Sequence, residues 1–451
     1  MKSARLFAVA ISLAGAALGA SAQTPLDPVG DWRGTLVAGA VKLRIALHLG
    51  AASTFDSLDQ GALGLPAQMT SEGRHVTVAI EKVGVFEGDL SEDGKVLTGA
   101  LKQGPVSTPL TFERGSFASA NRPQTPVKPY PYRSEDVGYD NPQRAGVHLA
   151  GTLTMPVGEG PFPVVLLITG SGAQDRDETI FEHKPFLVLS DYLTRRGVAV
   201  LRVDDRGTGS STGAGPNDTT ADFATDVEAG IVFLKTRHEI DPARIGLLGH
   251  SEGGAIAPIV ASRDASIAFV VLWAGPGVPG ADIIVEQVRA IAMASGVSAT
   301  QSEKSAATQR AVLDAIMKAP DAASARTGAA QVLVDHGAPA PDEMSLRQLT
   351  SPWYRYFIAY DPAPALRALK APVLALLGGK DLQVSASQNG PALREALHDN
   401  PDARVIELPN LNHLFQTAVT GSVSEYGKIE ETIAPEALKT IGDWIVSRTA
   451  R

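Results

Sequence analysis

The chain has 451 residues, a net charge of −9 and no cysteine. Its length exceeds that of one ordinary domain, so we expect two domains, or one domain with a large insertion. The absence of cysteine excludes disulfides, a cysteine nucleophile and thiolate metal sites. Because the chain is acidic and has no run of lysines or arginines, we expect no nucleic-acid partner.

The first residues have the pattern of a secretory signal peptide. Lys2 and Arg5 precede an apolar stretch of small residues, and the sequence ASA at positions 20–22 fits a small-x-small cleavage site. An uncleaved membrane anchor is the alternative, although the apolar stretch is shorter than the roughly 20 residues of a spanning helix. We therefore expect residues 1–22 to be removed and the protein to be exported, to the periplasm or beyond the cell. The mature chain is expected to have no integral membrane span.

Residues 23–117 alternate short β-like runs with turns. HVTVAI from His75 and VFEGDL from Val85 are two such runs, and glycine, aspartate and serine separate them at hairpin spacing. This pattern predicts a small all-β domain, either a sandwich or an open barrel, with a structural or substrate-positioning role. Residues 118–132, ASANRPQTPVKPYPY, are rich in proline and predict a semi-rigid extended linker.

Residues 133–451 follow a different pattern, in which apolar runs alternate with helical stretches. Runs that are apolar throughout and separated by helices predict an α/β fold, a mostly parallel sheet with helices on both faces. The helix after the second run is expected to have Thr220 as its N-cap. The runs are VVLLIT from Val164, VAVLRV from Val198, IGLLGH from Ile245, IAFVVLWA from Ile267, VLALLG from Val373 and RVIELP from Arg404.

An insertion with a helical pattern, at about residues 277–369, separates the fourth run from the fifth. In a doubly wound sheet, an insertion of this size is usually a cap over the active site. It contains the aromatic cluster WYRYF. Trp353, Tyr354 and Phe357 of this cluster either line a substrate pocket or pack the cap onto the sheet, and both interpretations stay open.

The stretch IGLLGHSEGG, which starts at Ile245, contains the pattern G-x-S-x-G between a strand run and a helical run. This context is typical of a nucleophile elbow, a strained turn that presents a serine hydroxyl at the N-terminus of a helix. Gly249 and Gly253 would let the strand and the helix pass close to each other. The pattern predicts Ser251 as a catalytic nucleophile; a glycine-rich turn with an incidental serine is the alternative.

A serine nucleophile needs a base, and the base needs an acid that orients it. In this fold the acid and then the histidine follow the serine along the chain. Asp381 follows the run VLALLG and His413 follows the run RVIELP, each in the loop after its strand. His398 lies in a helical run, and His250 flanks the serine, where we expect it to pack or hydrogen-bond locally. We therefore predict Asp381 as the acid and His413 as the base.

The tetrahedral intermediate of such a reaction needs two backbone N–H donors. One is the N–H of Glu252, directly after the serine. The other is expected from the loop TGSGAQDRDE, with Ser171 as the first choice and Gly172 as the second. We interpret residues 175–178 of this loop as a structural ion-pair network, and the stretch DDRGTGSSTG from Asp204 as a structural turn, since it lacks the spacing of a phosphate loop.

Six stretches of the chain carry a resemblance to a known family. They are LAGTLTMP from Leu149, LLITGSGAQDRDE from Leu166, DYLTRRGVAVLRVDDRGTGSSTG from Asp191, IGLLGHSEGGAIAP from Ile245, GGKDLQV from Gly378 and LNHLFQ from Leu411. In them the chain resembles bacterial carboxylesterases of the EstD-like type, which have the α/β-hydrolase fold. The resemblance implies that fold for residues 133–451, the same roles for Ser251, Asp381 and His413, and activity on short- to medium-chain acyl esters without a cofactor.

Two further features bear on the resemblance. Ala173 stands where such loops commonly carry proline, a departure that affects the loop of the second oxyanion donor. The β-rich N-terminal part resembles the extra domain that some of these esterases carry.

The sequence thus predicts an exported serine hydrolase that cleaves a small-molecule carboxylic ester through an acyl-enzyme, with no metal and no cofactor. Serine peptidases of the prolyl-oligopeptidase kind share the fold and the triad order, although residues 23–117 show no propeller repeats. A non-catalytic protein that binds a glycan or a lipid through the β domain or the cap is the third possibility. The sequence indicates neither the oligomeric state nor the physiological ester.

Overall fold

Two sheets organise the chain, a closed barrel in the N-terminal part and a mixed sheet in the rest. The computed structural model describes residues 27–449 apart from 39–40, 82, 105 and 339–340. The predicted signal peptide, residues 1–22, lies outside the described residues. Within the described ranges, no helix is long and apolar enough to cross a membrane.

The first sheet closes on itself as an antiparallel barrel, with eight strands in the part of the chain that the structure describes. In several strands, inward apolar residues alternate with outward polar ones. In HVTVAI, for example, Val76, Val78 and Ile80 are buried. The strands are β1 (Gly30–Ala38), β2 (Val41–Leu49), β3 (Ser53–Ser57), β4 (Ala62–Glu72), β5 (His75–Ile80), β6 (Gly84–Leu90), β7 (Val96–Gln103) and β8 (Val106–Arg114).

The closure of the barrel corrects one expectation. Strand β1 pairs with β8, with Trp32 opposite Arg114, so the described strands leave no open edge. Trp32, Phe86 and Phe112 fill the interior, where the two phenyl rings meet edge to face at 5.1 Å. The predicted all-β domain is confirmed, but the expected sandwich or open barrel is wrong. Alternating strands look alike in all three architectures, because local spacing does not record which strands pair.

The second sheet confirms the predicted α/β fold. Its strands are β9 (Arg133–Asp140), β10 (His148–Met155), β11 (Phe162–Ile168), β12 (Ala199–Val203), β13 (Ile240–His250), β14 (Phe269–Trp273), β15 (Val373–Gly378) and β16 (Ala403–Leu408). Their order across the sheet is β16-β15-β14-β13-β11-β12-β10-β9. Strands β11 to β16 are mutually parallel, whereas β10 runs antiparallel to both β12 and β9. The carboxyl ends of the parallel strands therefore meet at one edge.

The α-helices of the described chain cover the faces of the second sheet or form the insertion between β14 and β15. They are α1 (Pro185–Thr194), α2 (Thr220–Lys235), α3 (Gly253–Ala261), α4 (Gly280–Ala294), α5 (Ala299–Lys318), α6 (Ala322–Asp335), α7 (Glu343–Leu349), α8 (Pro352–Ala359), α9 (Ala363–Ala368), α10 (Ala386–Ala396), α11 (Val423–Tyr426) and α12 (Pro435–Thr449). Helices α2, α3, α9 and α10 cover one face, and α1 and α12 cover the other. Neighbouring residues of β13 serve both cores: Leu247 packs on the first face and Leu248 on the second.

The insertion between β14 and β15 contains helices α4 to α9. Leu313, Ile316 and Ile358 belong to a small core of its own, so the inserted helices pack on one another as well as on the sheet. Helix α8 carries the aromatic cluster WYRYF. The insertion therefore has the composition of a helical cap.

The N-cap of α2 is Thr219, one residue before the expected Thr220. The N–H and the hydroxyl of Thr219 donate to the carboxylate of Asp222 at 3.0 and 2.7 Å. Thr220 is the first helical residue, and its hydroxyl donates instead to Glu252 at 2.6 Å. The sequence does not distinguish two adjacent threonines as N-caps. The contact of Thr220 with Glu252, which is distant in the chain, decides that Thr219 is the cap.

His183, which lies just before α1, is a buried imidazole in contact with the C-terminal part of the chain. Its Nδ1 is 3.0 Å from the hydroxyl of Thr432, and its Nε2 is 3.0 Å from the carbonyl oxygen of Tyr426. Burial lowers the pKa of His183 to about 4. Below about pH 6.5 the unfolded chain takes up a proton at this ring while the folded chain does not, so folding loses stability as the pH falls toward 4.

Between about pH 6.5 and 4 the free energy of unfolding should therefore decrease less in His183→Gln than in the wild type, by on the order of 3 kcal/mol. The measurement is urea unfolding at a series of pH values, with His398→Gln as the control, because the His398 side chain is 81% exposed. Equal slopes for wild type and His183→Gln would contradict the assignment.

Candidate active site

Ser251 lies at the sharp turn between β13 and α3. Its φ is +53°, a left-handed value that costs a non-glycine residue on the order of 1–3 kcal/mol. Its N–H donates to the carbonyl oxygen of Trp273 on the next strand at 2.9 Å, which holds the turn in place. The serine is thus presented at the carboxyl edge of the sheet, next to the first turn of α3, where the helix dipole favours negative charge.

Glycines let three backbones meet beneath this turn. A Cβ atom on Gly249 would overlap the carbonyl oxygen of Gly253, and a Cβ atom on Gly253 would overlap the carbonyl oxygen of Ile168 on β11. These contacts agree with the role expected for both glycines. They show that β11, as well as β13 and α3, depends on the absence of a side chain here.

Asp381 and His413 meet at the carboxyl ends of β15 and β16. Nδ1 of His413 lies 2.8 Å from Oδ2 of Asp381, and both side chains are buried. The other carboxylate oxygen accepts the N–H groups of Gln383 and Val384 at 2.7 and 2.8 Å. Since a carboxylate only accepts hydrogen bonds, Nδ1 of His413 donates to it, and in the neutral imidazole this leaves the lone pair on Nε2, the nitrogen that can act as a base.

His250 links the nucleophile elbow to the neighbouring loops. Its Nδ1 lies 2.8 Å from Oε1 of Glu178, and its Nε2 lies 3.1 Å from the carbonyl oxygen of His413. The carbonyl oxygen of His413 can only accept, so Nε2 of His250 donates to it, while Nδ1 shares a hydrogen bond with the carboxyl group of Glu178. Burial alone would lower the pKa of His250, but the charge and the hydrogen bond of Glu178 raise it above its ordinary value.

The loop after β11 passes directly beside the nucleophile. A Cβ atom on Gly170 would lie 3.3 Å from Cβ of Ser251. The N–H of Gly170 is taken by Oε1 of Glu178 at 2.7 Å. The next N–H groups along the loop, of Ser171 and then Gly172, are therefore the ones available for an oxyanion. Their roles, and that of the Glu252 N–H, stay predictions.

The charged residues behind this loop form the expected structural network. Arg176 donates from Nε and Nη2 to the carboxylate of Asp204 at 3.0 and 2.7 Å, and Asp177 pairs with Arg202. Asp204 also accepts the N–H of Ser210 at 3.0 Å. The stretch DDRGTGSSTG thus forms a turn that anchors the loop after β11.

A cavity of about 260 Å³ is lined by two of the three candidate catalytic residues. Ser251 and His413 line it, and so do all three aromatic residues named from the sequence, Trp353, Tyr354 and Phe357. The rings of Trp353 and Phe357 also stack on each other at 5.6 Å, and Tyr354 and Phe357 pack against the cap core. The aromatic residues therefore line the cavity and pack within the cap, and their contact with substrate stays a prediction.

The side chain of Glu252 connects the elbow to the cap and to α2. Its Oε1 accepts the hydroxyl of Thr220 at 2.6 Å and the indole N–H of Trp353 at 2.9 Å. Burial raises the pKa of Glu252, while hydrogen bonds from Thr220, Trp353 and Ser171 partly oppose the shift. The sequence pointed only to the backbone N–H of this residue; its side chain anchors that N–H.

A second cavity, of about 330 Å³, shares Gly170, Glu252 and Trp353 with the first. Burial raises the pKa of Asp205 in its wall to about 8. The site thus has two compartments, with the indole of Trp353 in the wall of both. The apolar residues of the second cavity include Leu149, Leu166, Phe223, Val227 and Ile256.

The family follows from a match over more than half of the chain. Residues 164–419 match the model of the alpha/beta hydrolase family, a span that includes Ser251, Asp381 and His413. The chain belongs to the alpha/beta hydrolase family. The α/β-hydrolase fold and the separate N-terminal β domain, both expected from the sequence, are confirmed.

This hydrolase is also similar to individual proteins. Esterase EstD of Thermotoga maritima is 29% identical over 273 residues, which cover 59% of this chain and 58% of EstD, so the hydrolase spans little more than half of that relative. The resemblance to the EstD type is confirmed. The esterase Pf2001 of Pyrococcus furiosus matches with a TM-score of 0.45 at 17% identity, over 74% of this chain and all of its own. Est1E of Butyrivibrio proteoclasticus, solved with ferulic acid, matches with a TM-score of 0.41 at 14% identity, over 68% of this chain and 97% of its own.

The sequence missed one pair in the hydrolase site. Glu178 was assigned to the structural network of its loop and His250 to a local contact, and both assignments agree with the structure. Their direct pairing, however, joins residues 72 positions apart. No spacing rule signals such a contact, because it arises only when β11 and β13 lie side by side.

Replacing Gly253 with alanine should destabilise the hydrolase by about 1–3 kcal/mol, because the new methyl group would overlap the backbone of β11. Gly50→Ala is the matched control, since a Cβ atom there would meet no heavy atom within 4 Å. The midpoint of urea unfolding measures the effect. If both variants shift the midpoint equally, the close approach of the three backbones does not limit the elbow.

Proposed function

We propose that this protein is a serine esterase that hydrolyses small-molecule carboxylic esters through an acyl-enzyme. The observation that carries the proposal is that Ser251, in a left-handed conformation between two glycines, lines the same cavity as His413. Asp381 orients His413 through the bond to its Nδ1. The similarity to EstD, which is named an esterase, supports ester hydrolysis over peptide hydrolysis.

Acylation begins with proton transfer from the hydroxyl of Ser251 to Nε2 of His413 as the serine oxygen attacks the ester carbonyl carbon. Asp381 stabilises the imidazolium that forms, through its bond to Nδ1. The N–H groups of Glu252 and Ser171 donate to the oxyanion of the tetrahedral intermediate, with Gly172 as the alternative to Ser171. When the intermediate collapses, the bond to the alcohol oxygen breaks and His413 protonates the leaving alcohol.

Deacylation repeats these steps with water in place of the serine hydroxyl. His413 takes a proton from water as its oxygen attacks the acyl carbon, and it returns a proton to Ser251 when the ester bond to the enzyme breaks. The acid product then leaves. Every proton in this cycle passes through His413, so the mechanism needs no cofactor.

The two cavities support a preference for short- to medium-chain acyl esters. The cavity at Ser251, of about 260 Å³, is at the lower end of the size range of ligand pockets, and the adjoining apolar cavity of about 330 Å³ offers room for one further group. A long acyl chain would exceed both. The proposed location is the periplasm or the medium, supported by the signal-peptide pattern.

Replacing Ser251 with alanine should lower kcat on p-nitrophenyl acetate by on the order of 10⁴-fold or more, as deletions in such triads do. A fluorophosphonate should label the wild type and not this variant. Ser324→Ala, an exposed serine of α6, is the control and should keep full activity. Residual activity near that of the wild type would remove Ser251 from the mechanism.

Activity on p-nitrophenyl esters should fall from short to long acyl chains, and Trp353→Ala should shift the profile several-fold toward longer chains. The reason is that Trp353 lines both cavities, so its truncation enlarges the space next to Ser251. Trp353→Phe keeps most of the ring and is the matched control. Identical profiles for Trp353→Ala and Trp353→Phe would show that the acyl group does not reach this wall.

A further inference from the structure

The loop at residues 170–183, here called the oxyanion loop, ends in a turn that its own sequence disfavours. Ile180 and His183 pair as a β-bridge and close a two-residue turn at Phe181 and Glu182, with φ values of +51° and +64°. Positive φ at both central residues is the pattern of a type I′ turn, which strongly favours Asn-Gly and similar pairs. Because neither residue is a glycine or an asparagine, contacts from outside the turn must hold it.

The barrel supplies contacts to both turn residues. The N–H of Phe181 donates to the carbonyl oxygen of Asp59 at 3.1 Å, and Nη1 of Arg44 lies 2.8 Å from Oε1 of Glu182. Arg44 is itself fixed, since its Nε and Nη2 donate to Oδ1 of the buried Asp59 at 2.9 and 2.6 Å. One arginine–aspartate pair of the barrel therefore contacts the turn at both positions.

The segment between β8 and β9 contacts the same turn. Nη2 of Arg122 donates to the carbonyl oxygen of Phe181 at 2.7 Å, and the N–H of Ala120 donates to Oε2 of Glu182 at 3.1 Å. Gly61 of the barrel packs so closely that a Cβ atom there would overlap the carbonyl oxygen of Thr179. Residues that precede the catalytic domain thus contact both positions of the turn, while the ring of Phe181 also packs edge to face on Tyr426, with ring centroids 6.0 Å apart.

From this turn, contacts lead back to the nucleophile. Glu178, next to Thr179, is buried and has a φ of +53°. Its Oε1 accepts the N–H of Gly170 and the Nδ1–H of His250, the residues that directly precede Ser171 and Ser251 in the chain. The position of Glu178 therefore sets the distance between the oxyanion loop and the elbow.

We propose that the barrel is a positioning domain for catalysis. Arg44 and Asp59 hold the turn at Phe181 and Glu182. Through Glu178, they hold the Ser171 N–H in the position from which it donates a hydrogen bond to the oxyanion. This inference rests on the proposed ester hydrolysis. Because the oxyanion forms fully only in the transition state, a displaced donor lowers kcat and leaves KM nearly unchanged.

The first test is Arg44→Ala in the full-length protein, assayed on p-nitrophenyl acetate. We expect kcat to fall about tenfold, less than the 10²–10³-fold loss of a whole oxyanion donor, with KM within about twofold of wild type. Arg44→Lys, which keeps the charge, should restore part of the rate. Arg33→Ala is the control, because Arg33 pairs with Glu113 at 3.1 Å on the exposed surface of the same barrel. Wild-type kcat in a folded Arg44→Ala would overturn the proposal.

A second variant distinguishes positioning from general damage to the barrel. Glu182→Gly places a residue that favours positive φ in the turn, so the turn needs less support from Arg44. In the Arg44→Ala background, Glu182→Gly should therefore raise kcat again, although it restores no contact with the barrel. A double variant as slow as Arg44→Ala alone would contradict the role of the turn.

If Arg44→Ala does not fold, Glu182→Gln breaks the same ion pair from the other side, and wild-type kcat in that variant would equally overturn the proposal.

A transition-state analogue gives a readout that simple destabilisation would not move. The affinity of a trifluoromethyl ketone, which forms a tetrahedral adduct with the serine, should fall in proportion to kcat/KM across these variants. If the wild type hydrolyses no ester, the proposed function fails, and the rate of fluorophosphonate labelling then replaces kcat. Slower labelling of Arg44→Ala would still support positioning, whereas equal labelling rates, or no labelling of the wild type, would overturn it.

Discussion

The close approach of β11, β13 and α3 beneath Ser251 is the constraint around which the α/β-hydrolase domain of this protein is arranged. The backbone turns so sharply there that Gly249 and Gly253 leave no space for a Cβ atom, and the serine between them adopts a left-handed conformation. Such a turn persists only where the surrounding structure fixes it from several sides. The parallel strands, the helices on both faces and the hydrogen bond from Ser251 to Trp273 supply that support.

A buried charge pair transmits this constraint to the neighbouring loops. Removing His250 and Glu178 from water costs more free energy than their attraction returns unless their remaining hydrogen-bonding groups are also satisfied. Oε1 of Glu178 accepts a second bond from Gly170, and His250 donates its second N–H to the carbonyl oxygen of His413, whereas the buried Oε2 of Glu178 has no hydrogen-bond partner among the described residues. These bonds are directional, so a shift of any of the three loops leaves a charged group poorly paired. The pair therefore contributes to the register of the site more than to overall stability.

Much of the fold and of the candidate site could be predicted because short-range sequence patterns indicate both. Continuous apolar runs predicted the six parallel strands β11 to β16 but not the antiparallel strands β9 and β10. G-x-S-x-G predicted the elbow, and chain order after Ser251 predicted Asp381 and His413. The barrel closure, the choice of Thr219 over Thr220 and the pairing of His250 with Glu178 depend on contacts between distant segments. The turn at Phe181 and Glu182 is the clearest case, since local preference argues against it and tertiary contacts override that preference.

Glu252 shows how the cap and the elbow depend on each other. Its backbone N–H is a candidate oxyanion donor, while its buried side chain accepts the indole N–H of Trp353 from the cap. If the cap moved away, the carboxyl group would lose a hydrogen bond in a site that water reaches poorly, which costs free energy. The position of the cap is therefore stabilised by the residue whose N–H is the candidate oxyanion donor. Since Trp353 bonds to the side chain of that residue, the cap and the candidate oxyanion site are coupled through one side chain.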